Sequence, residues 1–207
     1  MLLHDAPLTF REFMTREEVP LAVVFREVLE WLAGRADAVL FGAQAINAWV
    51  DTPRMTEDVD VVSTRAESLA DELRAHLGKT LRIAARVREV VPGGFRVYQA
   101  RKPKNRHLVD VRQVDVLPAS RRVHGIAVAT PVELAAMKVV SLVARRGRPK
   151  GDTDRADLRR LLVALPDLKA KDGPVTERLR ALGAGEKALR AWQEIVRERS
   201  EPDRDDY

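Results

Sequence analysis

The sequence contains no cysteine, which excludes a disulfide framework and a thiolate metal site. It has no run of about 18 uncharged apolar residues, so no membrane-spanning helix is expected. The opening stretch MLLHDAPLTF carries an acid early and lacks a basic segment followed by an apolar core. No signal peptide is therefore expected, and a cytoplasmic location follows by default. The four histidines, His4, His76, His107 and His124, lie far apart without H-x-E or H-E-x-x-H spacing, and are assigned no metal role. Ser63, Ser120 and Ser141 lack the G-x-S-x-G setting of a serine hydrolase. Neither a G-x-x-x-x-G-K-S/T loop nor a G-x-G-x-x-G turn occurs, which removes P-loop and dinucleotide-binding readings. There is no internal repeat and no low-complexity tract.

What is present is a chain of 207 residues, 45% hydrophobic and 32% charged. That suits a soluble globular protein of one domain, or one domain with a helical appendage. The net charge of +5 and a pI near 9.8 lean toward anionic partners such as nucleotides or RNA. The same values fit an ordinary basic protein rich in Arg, Ala and Val.

Periodicity predicts an amphipathic helix over 20–33, with Val24, Val28, Trp31 and Leu32 on one face and Gly34 ending it. A short buried strand at 38–42 leads directly into a helix of small residues, AQAINAWV. The run TEDVDVV reads as a strand, and 67–78 as an amphipathic helix capped by Gly78. LRIAARVREVV, a turn at Pro92-Gly93-Gly94, and FRVYQA form a hairpin. HLVDVRQVDVL and GIAVAT are further strands. Thr130-Pro131-Val132-Glu133 is a capping box that starts a long helix. A loop at 147–153 and three more helical segments follow, and the tail at 201–207 is expected to be disordered. The fold class expected is α/β (α+β), a mixed β-sheet with flanking helices. The core would span 1–129 and a helical C-terminal part 130–200.

Asp58 and Asp60 interrupt a run of valines two residues apart. Positions i and i+2 of a strand face the same way. Alternation of polar and apolar faces would suffice to explain them. Yet two neighbouring carboxylates on a central strand repel each other unless a cation or proton lies between them. Beside a phosphoryl group that cation would be Mg²⁺, which takes carboxylate and phosphate oxygens. Upstream, the strand–Gly42-Ala43–helix sequence offers close backbone approach and free N–H groups to a phosphate.

Gly42-Ala43 followed by Asp58-Val59-Asp60-Val61 resembles the glycine-plus-paired-acid signature of the polymerase-beta-like nucleotidyltransferases. The nearer resemblance is to the AbiEii/AbiGii toxin-like branch, found in bacterial toxin–antitoxin and abortive-infection systems. There a third acidic strand follows, then a helix bearing a lysine, then an R…K-D…D-L segment. Here these pieces are HLVDVR, ELAAMKVVSLVARRGRPK and DTDRADLRRLL, so the likeness covers roughly residues 38–165. Two departures are Ala43, where the branch usually shows Gly or Ser, and a slightly long spacer between 44 and 57.

The resemblance implies a metal-dependent nucleotidyltransferase that moves an NMP from an NTP to a hydroxyl acceptor. Asp58 and Asp60 would bind Mg²⁺ or Mn²⁺, joined by a third acid that also activates the acceptor. Asp110 and Asp115 both qualify, and Asp110, mid-strand, is preferred. Gly42 and Ala43 would cradle phosphate. Lys138 interrupts an apolar helix face and is either a snorkelling lysine or a nucleotide phosphate contact. Arg145, Arg146 and Lys150 could hold phosphates or an RNA backbone, or could simply be solvated. Asp157 is carried over from the branch as a nucleotide-site acid, although acids at a helix start also serve as caps. The acceptor would be RNA, such as a tRNA end, or a protein side chain, and a cognate antitoxin is an implied partner. The alternative is a non-catalytic nucleotide-binding or toxin–antitoxin interaction protein that keeps the fold.

Overall fold

The computed structural model describes residues 18–170 and 172–198. The expectations for the N-terminal stretch, His4 and the tail at 201–207 lie outside these residues. The described chain divides into two compact units. One comprises residues up to 41 together with 56–128, the other 42–55 together with the chain from 129 onward. Segment 42–55, expected from the sequence to belong to the core, packs with the C-terminal helices.

The first unit is built on a seven-stranded mixed sheet of order β3-β4-β5-β2-β1-β7-β6. The strands are β1 (Ala38–Phe41), β2 (Val59–Ser63), β3 (Ala85–Val91), β4 (Gly94–Gln99), β5 (Arg106–Gln113), β6 (Ser120–Val123) and β7 (Ile126–Ala129). β2 runs parallel to β5 and antiparallel to β1, while β3, β4 and β5 form an antiparallel meander. Strand β6 has no counterpart among the sequence expectations: its residues, Ser-Arg-Arg-Val, are almost all exposed and carry no hydrophobic alternation.

Helix α1 (Leu21–Leu32) buries Val24, Phe25, Val28 and Leu32. Trp31 instead sits half-exposed, with the Arg35 guanidinium 4.2 Å from its ring centre. α1 packs on α3 (Ala66–Leu81) and β5, and α3 lies against β2, β3, β4 and β5. The apolar sheet residues Val59, Val61, Val97, Val109 and Val111 are fully or almost fully buried. Helix α3 runs past Gly78 to Leu81, and the left-handed residue that ends it is Arg82, with φ 53°. The extra turn follows from burial of Leu77 inside the helix and of Ile83 just beyond it. At the start of α3, Asp37 joins Arg35 and Arg65. Its carboxyl is held down to about 2, chiefly by hydrogen bonds from Arg35 against the cost of desolvation, with Arg65 adding.

The second unit holds α2 (Gly42–Asn47), α4 (Pro131–Ala144), α5 (Pro149–Ala164), a 3-10 turn (Pro166–Lys169), α6 (Pro174–Ala181) and α7 (Gly185–Arg197). Thr130 Oγ1 accepts the Glu133 N–H at the start of α4, the first half of a capping box. The segment expected to be a loop over 147–153 is largely helical, because Pro149 opens α5 at its first position. Gly151 is required there: a Cβ would stand 2.5 Å from the Arg145 carbonyl oxygen. The core of this unit includes Leu134, Val139, Leu158, Leu161, Leu162, Leu179, Trp192 and Ile195. No described helix is long and apolar enough to cross a membrane.

Candidate active site

The carboxylates meet on one face of the sheet because of strand register. β2 and β5 are parallel with Asp60 beside Asp110, and β4 and β5 are antiparallel with Arg96 opposite Asp110. The half-buried Asp60, Asp110 and Arg96 alternate with fully buried valines, so they share the face away from those side chains. Asp58 lies one residue before β2 and two before Asp60, on that same side. Asp115 lies beyond the end of β5, in a bend.

Two residues not singled out in the sequence complete this face. Arg96 donates from Nε and Nη2 to the two Asp110 oxygens, at 2.9 and 3.0 Å. Such a two-pronged pair fixes geometry as well as charge. His107 places Nε2 2.9 Å from Asp110 Oδ1 and Nδ1 3.3 Å from Asp58 Oδ2. Histidine spacing alone assigns His107 no metal role, and on a regular strand it would also face away from Asp110, three residues on. The strand is not regular here. Tyr98 pairs with His107 and Val97 with Val109, which leaves Leu108 as an extra residue in β5. Such a bulge reverses the side-chain phase, so Leu108 and Val109 are both buried and His107 turns to the Asp110 side. The adjacent apolar pair in H-L-V-D is the one sign of this in the sequence.

The electrostatics follow from these contacts. Burial alone would raise the Asp110 carboxyl, but hydrogen bonds from His107 and Arg96, together with their charges, hold it well below the ordinary carboxylate range. Arg96 is raised, first by its hydrogen bond to Asp110 and against partial desolvation, with the charges of Asp110, Asp58 and Asp60 adding.

The second unit gathers most of the remaining sequence candidates into a different cluster. The Asp157 side chain is wholly inaccessible and pairs with Arg54 at 2.7 Å and Lys138 at 2.8 Å, with Arg160 at 3.4 Å. Lys138 also reaches Asp154 at 2.8 Å, and Arg145 closes on Asp154 from the other side at 3.0 Å. Arg160 further binds Asn47 and the Thr52 carbonyl. Asn47 in turn exchanges hydrogen bonds with the backbone of Arg54, at 2.8 and 3.1 Å. Asp157 is thus the anchor of segment 42–55. Burial would raise its carboxyl, yet the Arg54 hydrogen bond and Lys138 lower it. Lys150 is exposed in the first turn of α5. Gly42 opens α2 with φ 69°, a conformation that favours glycine at an abrupt strand-to-helix junction.

A family model described as "Nucleotidyl transferase AbiEii toxin, Type IV TA system" matches residues 25–184. The chain belongs to the AbiEii nucleotidyltransferase toxin family. No curated protein matches the sequence. Among solved structures, the AbiEii chain is similar to the Megavirus polyadenylate synthase, with TM-score 0.56 and 12% identity over 70% of this chain and 32% of that one. It therefore spans about a third of that protein's length. It is also similar to JHP933 from Helicobacter pylori, with TM-score 0.52 and 13% identity over 92% of both chains. These likenesses concern the fold, a mixed nucleotidyltransferase-type sheet with helices.

The donor set of this AbiEii chain suits a divalent cation. One ligand atom each from Asp58, His107 and Asp110 lies within 4.8 Å of the others. Around an ion with bonds of about 2.0–2.2 Å, adjacent donors lie roughly 3 Å apart and opposite ones roughly 4.3 Å. Asp60 shares the face but is not among these three.

Proposed function

We propose that this AbiEii-family protein moves a nucleoside monophosphate from a nucleoside triphosphate to a hydroxyl acceptor in a reaction that needs a divalent cation. The observation that carries the reading is the meeting of Asp58, His107 and Asp110 on one sheet face, with Asp60 registered beside Asp110. Asp58, His107 and Asp110 would hold the cation, with Asp60 supplying further negative charge at the same face. Bound there, a divalent cation would offset charge on the triphosphate oxygens and favour in-line displacement of pyrophosphate.

The protein's own groups have separable tasks. Asp110 has both oxygens engaged by Arg96 and His107, which leaves it poorly placed to accept a proton. Its task is to orient and to neutralise. Gly42 and Ala43, through backbone N–H groups, and Arg145 and Lys150, through charge, are assigned to phosphate. Lys138 and Asp157 already satisfy each other, so we assign them to holding segment 42–55 rather than to direct contact with nucleotide. The net charge of +5 favours RNA, including a tRNA end, as acceptor. The family's toxin–antitoxin description supports a cognate antitoxin as a partner.

The test is incubation of the purified protein with each labelled NTP, Mg²⁺ or Mn²⁺, and total RNA. Label should enter RNA with one NTP, and Asp58→Ala should abolish it. A second reading, nucleotide binding without transfer, rests on the way Arg96 and His107 already occupy the Asp110 oxygens and on the absence of a hydroxyl at Ala43. Retained NTP binding with no transfer under any condition would favour it.

A further inference from the structure

We propose that the His107 imidazole is a direct ligand of the site's cation and makes the site prefer manganese(II) to magnesium. This rests on the metal-site reading above and adds the identity of the ion. Magnesium binds oxygen donors almost exclusively, keeps several waters and demands near-ideal octahedral geometry. Imidazole nitrogen suits first-row transition ions, which it binds in an affinity order that rises from manganese. A set of two carboxylates and one imidazole suits manganese, which accepts both donor types and still leaves positions for phosphate oxygens.

His107 is not a bystander brought in by a mobile loop. The extra residue Leu108 turns it onto the acidic face, and Leu108 and Val109, both fully buried, hold the strand in that phase. Its two nitrogens stand 2.9 Å from Asp110 and 3.3 Å from Asp58. The first spacing matches that of adjacent ligands on one ion, roughly 3 Å for bonds near 2.1 Å. The imidazole therefore needs no change of strand register to contribute a nitrogen. Arg96, bound to both Asp110 oxygens, disfavours a second positive charge beside it. A site weakened in that way gains most from a donor that adds covalency rather than charge.

The full-length protein is titrated with Mn²⁺ and with Mg²⁺, without nucleotide, and the Mn²⁺ complex is examined by pulsed electron paramagnetic resonance for coupling to ¹⁴N. Removing even a supporting residue from a metal site costs on the order of 10–100-fold in affinity. His107→Asn should therefore weaken Mn²⁺ binding at least about tenfold, change Mg²⁺ binding less, and erase the nitrogen coupling. The wild-type protein should bind Mn²⁺ more tightly than Mg²⁺. Circular dichroism establishes that the variant is folded, and His107→Gln serves as a second variant if it is not. Wild-type Mn²⁺ binding without ¹⁴N coupling, or an Asn variant with the wild-type ion preference, would overturn the proposal. Asp58→Asn separates the two levels. If it abolishes binding of both ions while His107→Asn changes nothing, the carboxylate site stands and only the histidine ligand fails. If it too leaves binding unchanged, the metal-site reading fails as well.

Discussion

His107 Nε2 lies 2.9 Å from Asp110 Oδ1, although only Leu108 and Val109 separate the two residues on one strand. A regular strand would point them to opposite faces. The bulge at Leu108 is thus the local feature that brings an imidazole to the face that carries Asp60, Asp110 and Arg96.

Asp58 contributes to the cluster without the clamp that holds Asp110. Asp58→Asn keeps the shape and removes the charge. We expect its nucleotidyl transfer rate to fall on the order of a hundredfold or more, with the folded state little changed. Single-turnover transfer with a labelled NTP measures the first effect and thermal melting the second. Transfer within a few fold of wild type would remove Asp58 from the site.

Arg96 competes electrostatically with any ion bound beside Asp110. Two unit positive charges about 4 Å apart repel by roughly 1 kcal/mol in water-like surroundings and by more in protein. Arg96→Gln should therefore tighten divalent-cation binding by at least about fivefold, measurable by the same Mn²⁺ titration. Weaker binding in this variant would mean that Arg96 is needed chiefly to orient Asp110.

The Asp157 network predicts a stability effect. Removing one partner of a buried charge cluster leaves the others unpaired and costs about 3–5 kcal/mol. Asp157→Ala would leave Lys138 with Asp154 alone and take from Arg54 its buried carboxylate partner, and chemical denaturation should show a loss toward the lower end of that range. Lys187→Ala, at an exposed position with no ion pair among the described residues, should change stability by less than about 0.5 kcal/mol.

Acid should unfold the protein by a route that these carboxyls share. Asp37 sits near 2, and Asp110 and Asp157 are also held below the ordinary carboxylate value. A lowered folded pKa means that the unfolded chain takes up protons first. The stabilisation is therefore complete above about pH 4 and is lost as pH falls through the folded values. Melting temperature followed from pH 5 to pH 2 should fall steeply, and Asp157→Asn should flatten part of that slope. A variant with the wild-type slope would show that Asp157 is not a contributor.

Much of the architecture was legible from periodicity. The hairpin at 85–99, the helix opened by Thr130 and Pro131, and the two separate Asp-bearing strands all follow from local pattern. The strand at 120–123 escaped because exposed arginines carry no alternation. The end of α3 was misread because a glycine can continue a helix when the residues around it are buried. Lys138 stands out in the sequence as a charge on an apolar helix face and Asp157 only through the family resemblance, and a sequence cannot show that the two pair with each other.

By itself, then, the sequence pointed Asp58 and Asp60 the same way and put Asp110 mid-strand, because two-residue spacing and flanking valines are local patterns. Tertiary structure decided the rest. Which strands are neighbours set Asp60 beside Asp110 and Arg96 opposite it. One unpaired residue, Leu108, decided that His107 joins them, because a bulge becomes visible only when two strands are laid side by side. Packing of α4 and α5 with segment 42–55 decided that Asp157 binds protein cations, since a wholly buried carboxylate must be satisfied by charges close at hand.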